Sequence, residues 1–206
     1  MPELFELPLF EGDVSMSPLP DPDEISYYVL EKERKIYLDY EITNDALALQ
    51  RMILRWNIED RAIPAADRKP IYIYIVSLGG DIFTTRSLID TIEKSITPVI
   101  TVNLGVACSA AAMIFIAGHK RFMFPHAYVM IHEGSFGFDG DSTKVLDNTD
   151  WYKKDLKLSR EYMLSKTKIP PATLSKKKSN DWWLDAADCM KYGICDQIIE
   201  SLEEII

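Results

Sequence analysis

Residues 95–118 carry no charged side chain. A stretch of that length has to be hidden from water, in a bilayer or in a protein core. Its residue order separates the two. Residues 99–102 are dominated by β-branched side chains, 103–105 read as a turn, and 109–117 are small and apolar enough for a helix packed on every side. Pro98, Asn103 and Gly105 interrupt the run where a membrane-spanning helix would be continuous. A buried strand feeding a buried helix is therefore expected, and no membrane span.

A buried strand and a buried helix need layers around them, and the flanking sequence supplies a repeating pattern. Residues 36–40 read as a strand. Thr43 or Asn44 can cap a helix to about Ile58, with Ala46, Leu49, Ile53 and Trp56 at helical spacing. The run IYIYIV at 71–76 suits a strand covered on both faces. Gly79 and Gly80 make a turn, and 84–94 read as the next helix. Short strands follow at 121–124 and 128–131. A polar, Gly-rich stretch then leads to a long helix over about 143–165. Pro170 and Pro171 break the chain, Asp185 can cap a last helix stopped by Gly193, and 194–199 form a possible final strand. Strands alternating with helices predict an α/β fold with parallel pairing.

The 206 residues include 23 Lys and Arg against 32 Asp and Glu, a net charge of −9. That balance excludes a basic footprint for nucleic acid over the whole chain. Three cysteines, Cys108, Cys189 and Cys195, stand apart from any C-x2-C pair, so no zinc site is expected, and they suit a reducing cytoplasm. The first ten residues place acids where a secretory signal carries lysines. Residues 1–25, punctuated by five prolines, read as an extended arm ahead of a domain over 26–206.

No P-loop and no G-x-G-x-x-G follows a strand, which argues against ATP or dinucleotide binding. His132-Glu133 opens like a zinc-protease motif, but Phe136 stands at the second ligand position. The lysines at 176–178 read as a solvated face. What remains is polar residues in apolar settings. Ser109 sits at the predicted start of the buried helix, where a helix N-terminus stabilises developing negative charge as readily as serine caps a helix. His132 ends a strand and precedes a Gly-rich rim. Asp181 precedes two tryptophans, with Asp185 competing for a local capping role. Spacing alone does not select a triad from these three, because triads are recognised by geometry.

Four stretches together carry a resemblance: IYIYIVSLGGDI (71–82), GVACSAAAMIFIAG (105–118), RFMFPHAYVMIHEGSFGFDGD (121–141) and NDWWLDAADCMKYGICDQII (180–199). In this order they resemble the proteolytic subunits of Clp proteases, serine peptidases of the Clp/crotonase superfamily. The resemblance implies repeated β-β-α units with a protruding handle helix. It implies Ser109 as nucleophile, His132 as base and Asp181 as the acid that orients it, with the backbone N–H groups of Gly80 and Ala110 as oxyanion hole. Gly134, Ser135, Phe136 and Gly137 would line a groove where an extended peptide adds by main-chain pairing. Tyr72 and Tyr74 match aromatics of a docking pocket for an AAA+ ATPase unfoldase. A heptameric ring is implied, with possible stacking into a tetradecamer, acting on unfolded polypeptides without cofactor or metal. Leu78 replaces the usual proline, Gly134 and Phe136 stand where the family has Pro and Gly, and Ser179-Asn180 replace a charged pair between rings. Two alternatives are set against this reading: a non-catalytic ring paralogue, which commonly loses a triad member, and a crotonase-type acyl-CoA enzyme, which needs neither Ser109 nor His132 in these roles.

Overall fold

The computed structural model describes residues 21–177 and 180–206. Helix α1 (Pro22–Lys32) begins inside the expected arm. Residues 1–20 of that arm, and Ser179, lie outside the described residues. Strand β1 (Lys35–Leu38) follows, then a 3-10 turn capped by Thr43 and helix α2 (Leu47–Glu59). The four apolar residues at helical spacing are all buried, Ala46 and Ile53 completely. Strand β2 (Ile71–Ser77) leads through Gly79-Gly80 to α3 (Ile82–Lys94), whose cap is Asp81, its carboxylate accepting the Thr84 N–H. Strand β3 (Val99–Cys108) runs into α4 (Ala110–Ala117), and every residue of α4 is buried. Strands β4 (Lys120–Met123) and β5 (Tyr128–Ile131) precede the long helix α5 (Ser142–Lys166). Helix α6 (Pro171–Lys177), strand β6 (Trp182–Leu184), helix α7 (Ala186–Lys191) and strand β7 (Gln197–Ile198) complete the described chain, apart from a last 3-10 turn.

One seven-stranded sheet organises these elements in the order β1-β2-β3-β4-β7, all parallel, with β5 leaving from β3 and β6 antiparallel on β5. The uncharged stretch is thus a central strand and the helix it feeds. Among the described residues no helix is long and apolar enough to cross a membrane. The expected turn at 103–105 is not a turn: β3 continues to Cys108. The sheet forks there, β4 pairing with residues 100–103 and β5 with 106–108. The Asn103 side chain fills the fork, donating to the Tyr128 carbonyl at 2.9 Å and accepting the Gly105 N–H at 3.1 Å. Polar residues that look like turn formers here satisfy backbone groups inside a strand. The final strand is also shorter than 194–199: Gln197 and Ile198 are its paired residues, and the Asp196 and Ile199 N–H groups donate to the Arg121 and Met123 carbonyls of β4 at its two ends.

The main core lies between the sheet and helices α2, α3 and α4, with Ile71, Ile73, Ile75 and Phe115 at its centre. A second, smaller cluster covers the other face of the sheet around Tyr74, Ile100 and Val102.

Candidate active site

β3 ends at Cys108 and α4 begins at Ala110, so Ser109 is the single residue of a strand-to-helix turn. Its backbone sits at φ 54°, ψ −119°, a conformation L-residues rarely adopt. Such strain costs about 1–3 kcal/mol and persists where the surroundings over-determine it. Here the Ser109 N–H donates to the Met130 carbonyl at 2.8 Å, and α4 is locked in the core. The turn pushes the hydroxyl out of the sheet, the arrangement of a nucleophile elbow.

The Gly79-Gly80 turn after β2 lies against it. A side chain at Gly79 would place its Cβ 2.8 Å from the Cys108 carbonyl and 3.0 Å from the Ala110 nitrogen, and one at Gly80 would fall 2.2 Å from the Ile42 carbonyl. Both residues also have positive φ, 104° and 147°, so only glycine fits. The contact with Ile42 uses the Ile42 N–H with the Gly79 carbonyl and the Asp81 N–H with the Ile42 carbonyl, leaving the Gly80 N–H out of that pairing. Ala110 is the first residue of α4, and its N–H has no partner within the helix.

His132 follows the last residue of β5, and its Nε2 lies 2.7 Å from Ser109 Oγ. Asp181 precedes β6. Because β6 pairs antiparallel with β5, Ile131 opposite Trp182, Asp181 is carried alongside His132, its Oδ1 3.2 Å from His132 Nδ1. The three side chains singled out in the sequence lie side by side, Ser109 hydrogen-bonded to His132 and Asp181 in contact with the other ring nitrogen. In the tautomer that carries its proton on Nδ1, the Asp181 side, Nε2 is the acceptor for the Ser109 hydroxyl. Cys108, one residue from Ser109, is fully buried, and burial pushes its thiol up, away from the thiolate. His119 has a structural role, its Nδ1 accepting the Val99 N–H at 2.9 Å. Among the described residues no group of three or more His, Cys, Asp or Glu side chains gathers to hold a metal.

A cavity of about 310 Å3 opens beside Ser109 and His132, walled by Met113, Met130, Leu156 and Met163. Gly80, Ala110, Gly134 and Ser135 also line it. Phe136 packs instead on Phe138, Trp151 and Tyr152, at ring-centre separations of 4.9, 5.5 and 5.5 Å. Residues 132–139 have no regular structure. The sequence reading missed the polar lining contributed by α5. Arg160 pairs with Glu133, the Tyr152 hydroxyl donates to the Glu133 carbonyl at 3.2 Å, and the buried Asp155 pairs with Arg86 at 2.5 Å. Charges spaced along a long helix look like a solvated face, and no local signal marks which of them turn inward. Tyr72 and Tyr74 lie on the opposite face of the sheet from the core helices, Tyr74 buried and Tyr72 half-buried.

Comparison with known proteins decides the lineage. The family model described as Clp protease matches residues 23–202. The chain belongs to the Clp protease family. It is 34% identical over 182 residues to the ATP-dependent Clp protease proteolytic subunit 2 of Borreliella burgdorferi, covering 85% of this chain and 88% of that one. It is 28% identical to the corresponding subunit 2 of Treponema pallidum, covering 84% and 85%, and 26% identical to the proteolytic subunit of Pleurastrum terricola, covering 87% and 92%. These identities make it a divergent member, and the family supports a peptidase.

Proposed function

We propose that this chain is the serine endopeptidase subunit of a ring-forming, compartmentalised protease. The observation that carries the reading is Ser109 hydrogen-bonded to His132, with Asp181 3.2 Å from the other ring nitrogen, beside an apolar cavity. Ser109 Oγ attacks the peptide carbonyl while His132 Nε2 takes its proton. Asp181 holds the imidazole through Nδ1 and stabilises the imidazolium. The oxyanion is received by the N–H groups of Gly80 and Ala110, at the positive end of α4. His132 then protonates the leaving amine, and water hydrolyses the acyl-enzyme. The substrate enters extended along 134–137, and its side chain occupies the cavity.

The peptidase domain, read from the sequence as 26–206, takes in α1 from Pro22, with the residues before it as an arm. The chain has no ATP-binding motif of its own, so unfolding of substrates falls to a separate AAA+ ATPase docking at Tyr72 and Tyr74. The three free, buried cysteines suit a reducing cytoplasm. Neither alternative explains a strained serine hydrogen-bonded to a histidine.

The test is a fluorophosphonate label on the intact protein, with a fluorogenic short peptide assayed in parallel. Modification mapped to Ser109 together with peptide turnover is expected. An unlabelled protein that hydrolyses no peptide sinks the proposal, and thioester turnover without labelling selects the acyl-CoA reading.

A further inference from the structure

His132 stands where β5 has already ended. The last ladder pair is Ile131 with Trp182, and from 132 to 139 the chain has no regular structure. Gly134 turns the backbone at φ 72°, and a Cβ built there would meet nothing within 4 Å. A residue at the open end of a strand moves with the chain that follows it, unless that chain is held. A general base has less freedom than that, because its nitrogen has to stay within hydrogen-bond reach of the hydroxyl it deprotonates.

The next residue, Glu133, is held twice, both times by α5. Its backbone carbonyl accepts the Tyr152 hydroxyl at 3.2 Å, and its carboxylate pairs with Arg160, both charged side chains half-buried beside the cavity. The two donors stand roughly two helical turns apart, so they grip Glu133 from separate points. Phe136 and Phe138 pack on the Tyr152 ring, at ring-centre separations of 5.5 and 6.2 Å, which extends the hold along the segment. The same stretch of α5 is itself tied to α3. Arg86 donates to Asp155 at 2.5 Å and to Ser159 at 2.9 Å, the Tyr162 hydroxyl donates to Glu93 at 3.0 Å, and Lys166 pairs with Glu93 at 2.8 Å. α3 in turn places Leu88, Ile89 and Ile92 in the main core. The position of Glu133 is thus fixed to the core through α5 and α3, not through the sheet.

We propose that Arg160 and Tyr152 are positioning residues for His132: by clamping Glu133 they keep the imidazole at the distance Ser109 needs. The proposal rests on reading His132 as the general base. A half-exposed ion pair adds little to stability. Its effect on rate is larger, since a misplacement of about 1 Å can cost on the order of 100-fold. Arg160 and Tyr152 also line the cavity, so the competing role is contact with the substrate alone. Steady-state kinetics separates the two. A residue that positions the base changes kcat, whereas one that only walls the cavity changes KM.

The experiment measures kcat and KM on a fluorogenic short peptide for the unaltered protein and four variants: Arg160→Met, Arg160→Lys, Tyr152→Phe, and Glu133→Gln combined with Arg160→Met. Circular dichroism verifies folding and light scattering verifies unchanged assembly. Arg160→Met is expected to lower kcat by on the order of 10–100-fold while KM stays within about twofold. Arg160→Lys keeps a cation in reach of Glu133 and should recover kcat to within about threefold of the unaltered protein. Tyr152→Phe should lower kcat by about three- to tenfold with the same split. The double variant removes the freed carboxylate as well as the clamp, and should stay as slow as Arg160→Met. An unchanged kcat in Arg160→Met overturns the proposal, and so does a raised KM at unchanged kcat. Recovery of kcat in the double variant also overturns it, because Arg160 would then only neutralise a charge. Should Arg160→Met fail to fold, Tyr152→Phe decides, and a kcat equal to that of the unaltered protein overturns the clamp. An unaltered protein that hydrolyses no peptide and takes no label at Ser109 instead overturns the peptidase reading, and the positioning role with it.

Discussion

At the scale of single residues, Ser109 joins strain and chemistry in one position. Ser109→Ala removes the hydroxyl but keeps the Cβ that makes φ 54° costly. Ser109→Gly removes both. Both variants should lose peptide hydrolysis by a factor on the order of 10^4–10^6. The glycine variant should also be the more stable of the two, by about 1 kcal/mol in thermal unfolding, because glycine adopts this backbone freely. Equal midpoints would show that the turn stores no strain. A second residue sets an acid limit on the fold. Asp60 is fully buried, pairs with Arg34 at 2.6 and 2.8 Å, and accepts the Thr97 hydroxyl at 2.6 Å. The hydrogen bonds from Arg34 hold its carboxyl below the usual range despite burial. In the unfolded chain it titrates near ~3.9. A depressed folded value means the stabilisation is complete above that pH and is lost as pH falls towards the folded value. Asp60→Asn leaves the largely buried Arg34 charge with only the long contact to Glu59, at 3.5 Å, and should cost about 3–5 kcal/mol at neutral pH. It should also flatten the fall in stability below about pH 4, where the unfolded carboxyl takes up its proton. Urea titrations of both proteins at neutral and acid pH check both effects, and parallel acid curves would remove Asp60 from the account.

Among the elements, β6 does more for the site than its three residues suggest. Its pairing with β5 carries Asp181 to His132, and Trp182 anchors it, 8% exposed and edge-on to Tyr192 at 5.4 Å. Trp182→Ala should therefore lower stability by about 3–5 kcal/mol. It should also lower kcat on a short peptide by on the order of 10–100-fold, since Asp181, proposed as the acid that orients His132, loses its register. Unchanged kcat in a folded variant would separate β6 from catalysis. This strand also shows where sequence reading stopped. β2 and α4 were legible because burial on all sides leaves a run of apolar residues with no polar alternation. α2 was legible from capping and periodicity, whereas α3 was placed from the Gly79-Gly80 turn alone, two residues late and without its Asp81 cap. Nothing local marks 182–184 as a strand, because its order comes from Ile131 and its neighbours, fifty residues earlier. The extension of β3 through Asn103 was misread for a related reason: the groups that Asn103 satisfies belong to a fork that exists only once β4 and β5 have paired. Ser109, His132 and Asp181 were each visible as polar residues in apolar settings. Their connection came from a resemblance, since parallel crossovers bring together positions that the chain keeps far apart.

For the whole molecule, the question is what covers the apolar surface one chain leaves open. Of the tryptophans, Trp56 and Trp182 lie within the core, and Trp183 is half exposed, at 51%. The stronger signal is apolar residues at helical spacing on outward faces. Ile25, Tyr28 and Val29 share a face of α1, Leu54 and Ile58 a face of α2, and all five are exposed. On α5, Tyr152, Leu156 and Met163 turn inward onto the cavity, while Leu146 and Leu158 point out at 66% and 46% exposure. Repeated outward apolar faces on several elements exceed the scattered residues normal for a monomer, and burial against copies of the same chain removes them from water. The protein should therefore form a ring, with the long α5 as the element through which copies interlock. Stacking of two rings should depend on concentration, because Asn180 is uncharged where the resemblance calls for half of a charged pair. Light scattering over a concentration series reads both levels. A single-chain mass at working concentration overturns the ring, and a seven-subunit mass at every concentration overturns stacking alone. The double variant Leu146→Glu, Leu158→Glu places two carboxylates on the outward side of α5, where the isolated chain tolerates them in solvent. It should stay folded, drop to the mass of one chain, and lose peptide turnover in step with assembly, because residues 132–139 beside the site have no regular structure in the single chain and are expected to order against a neighbour.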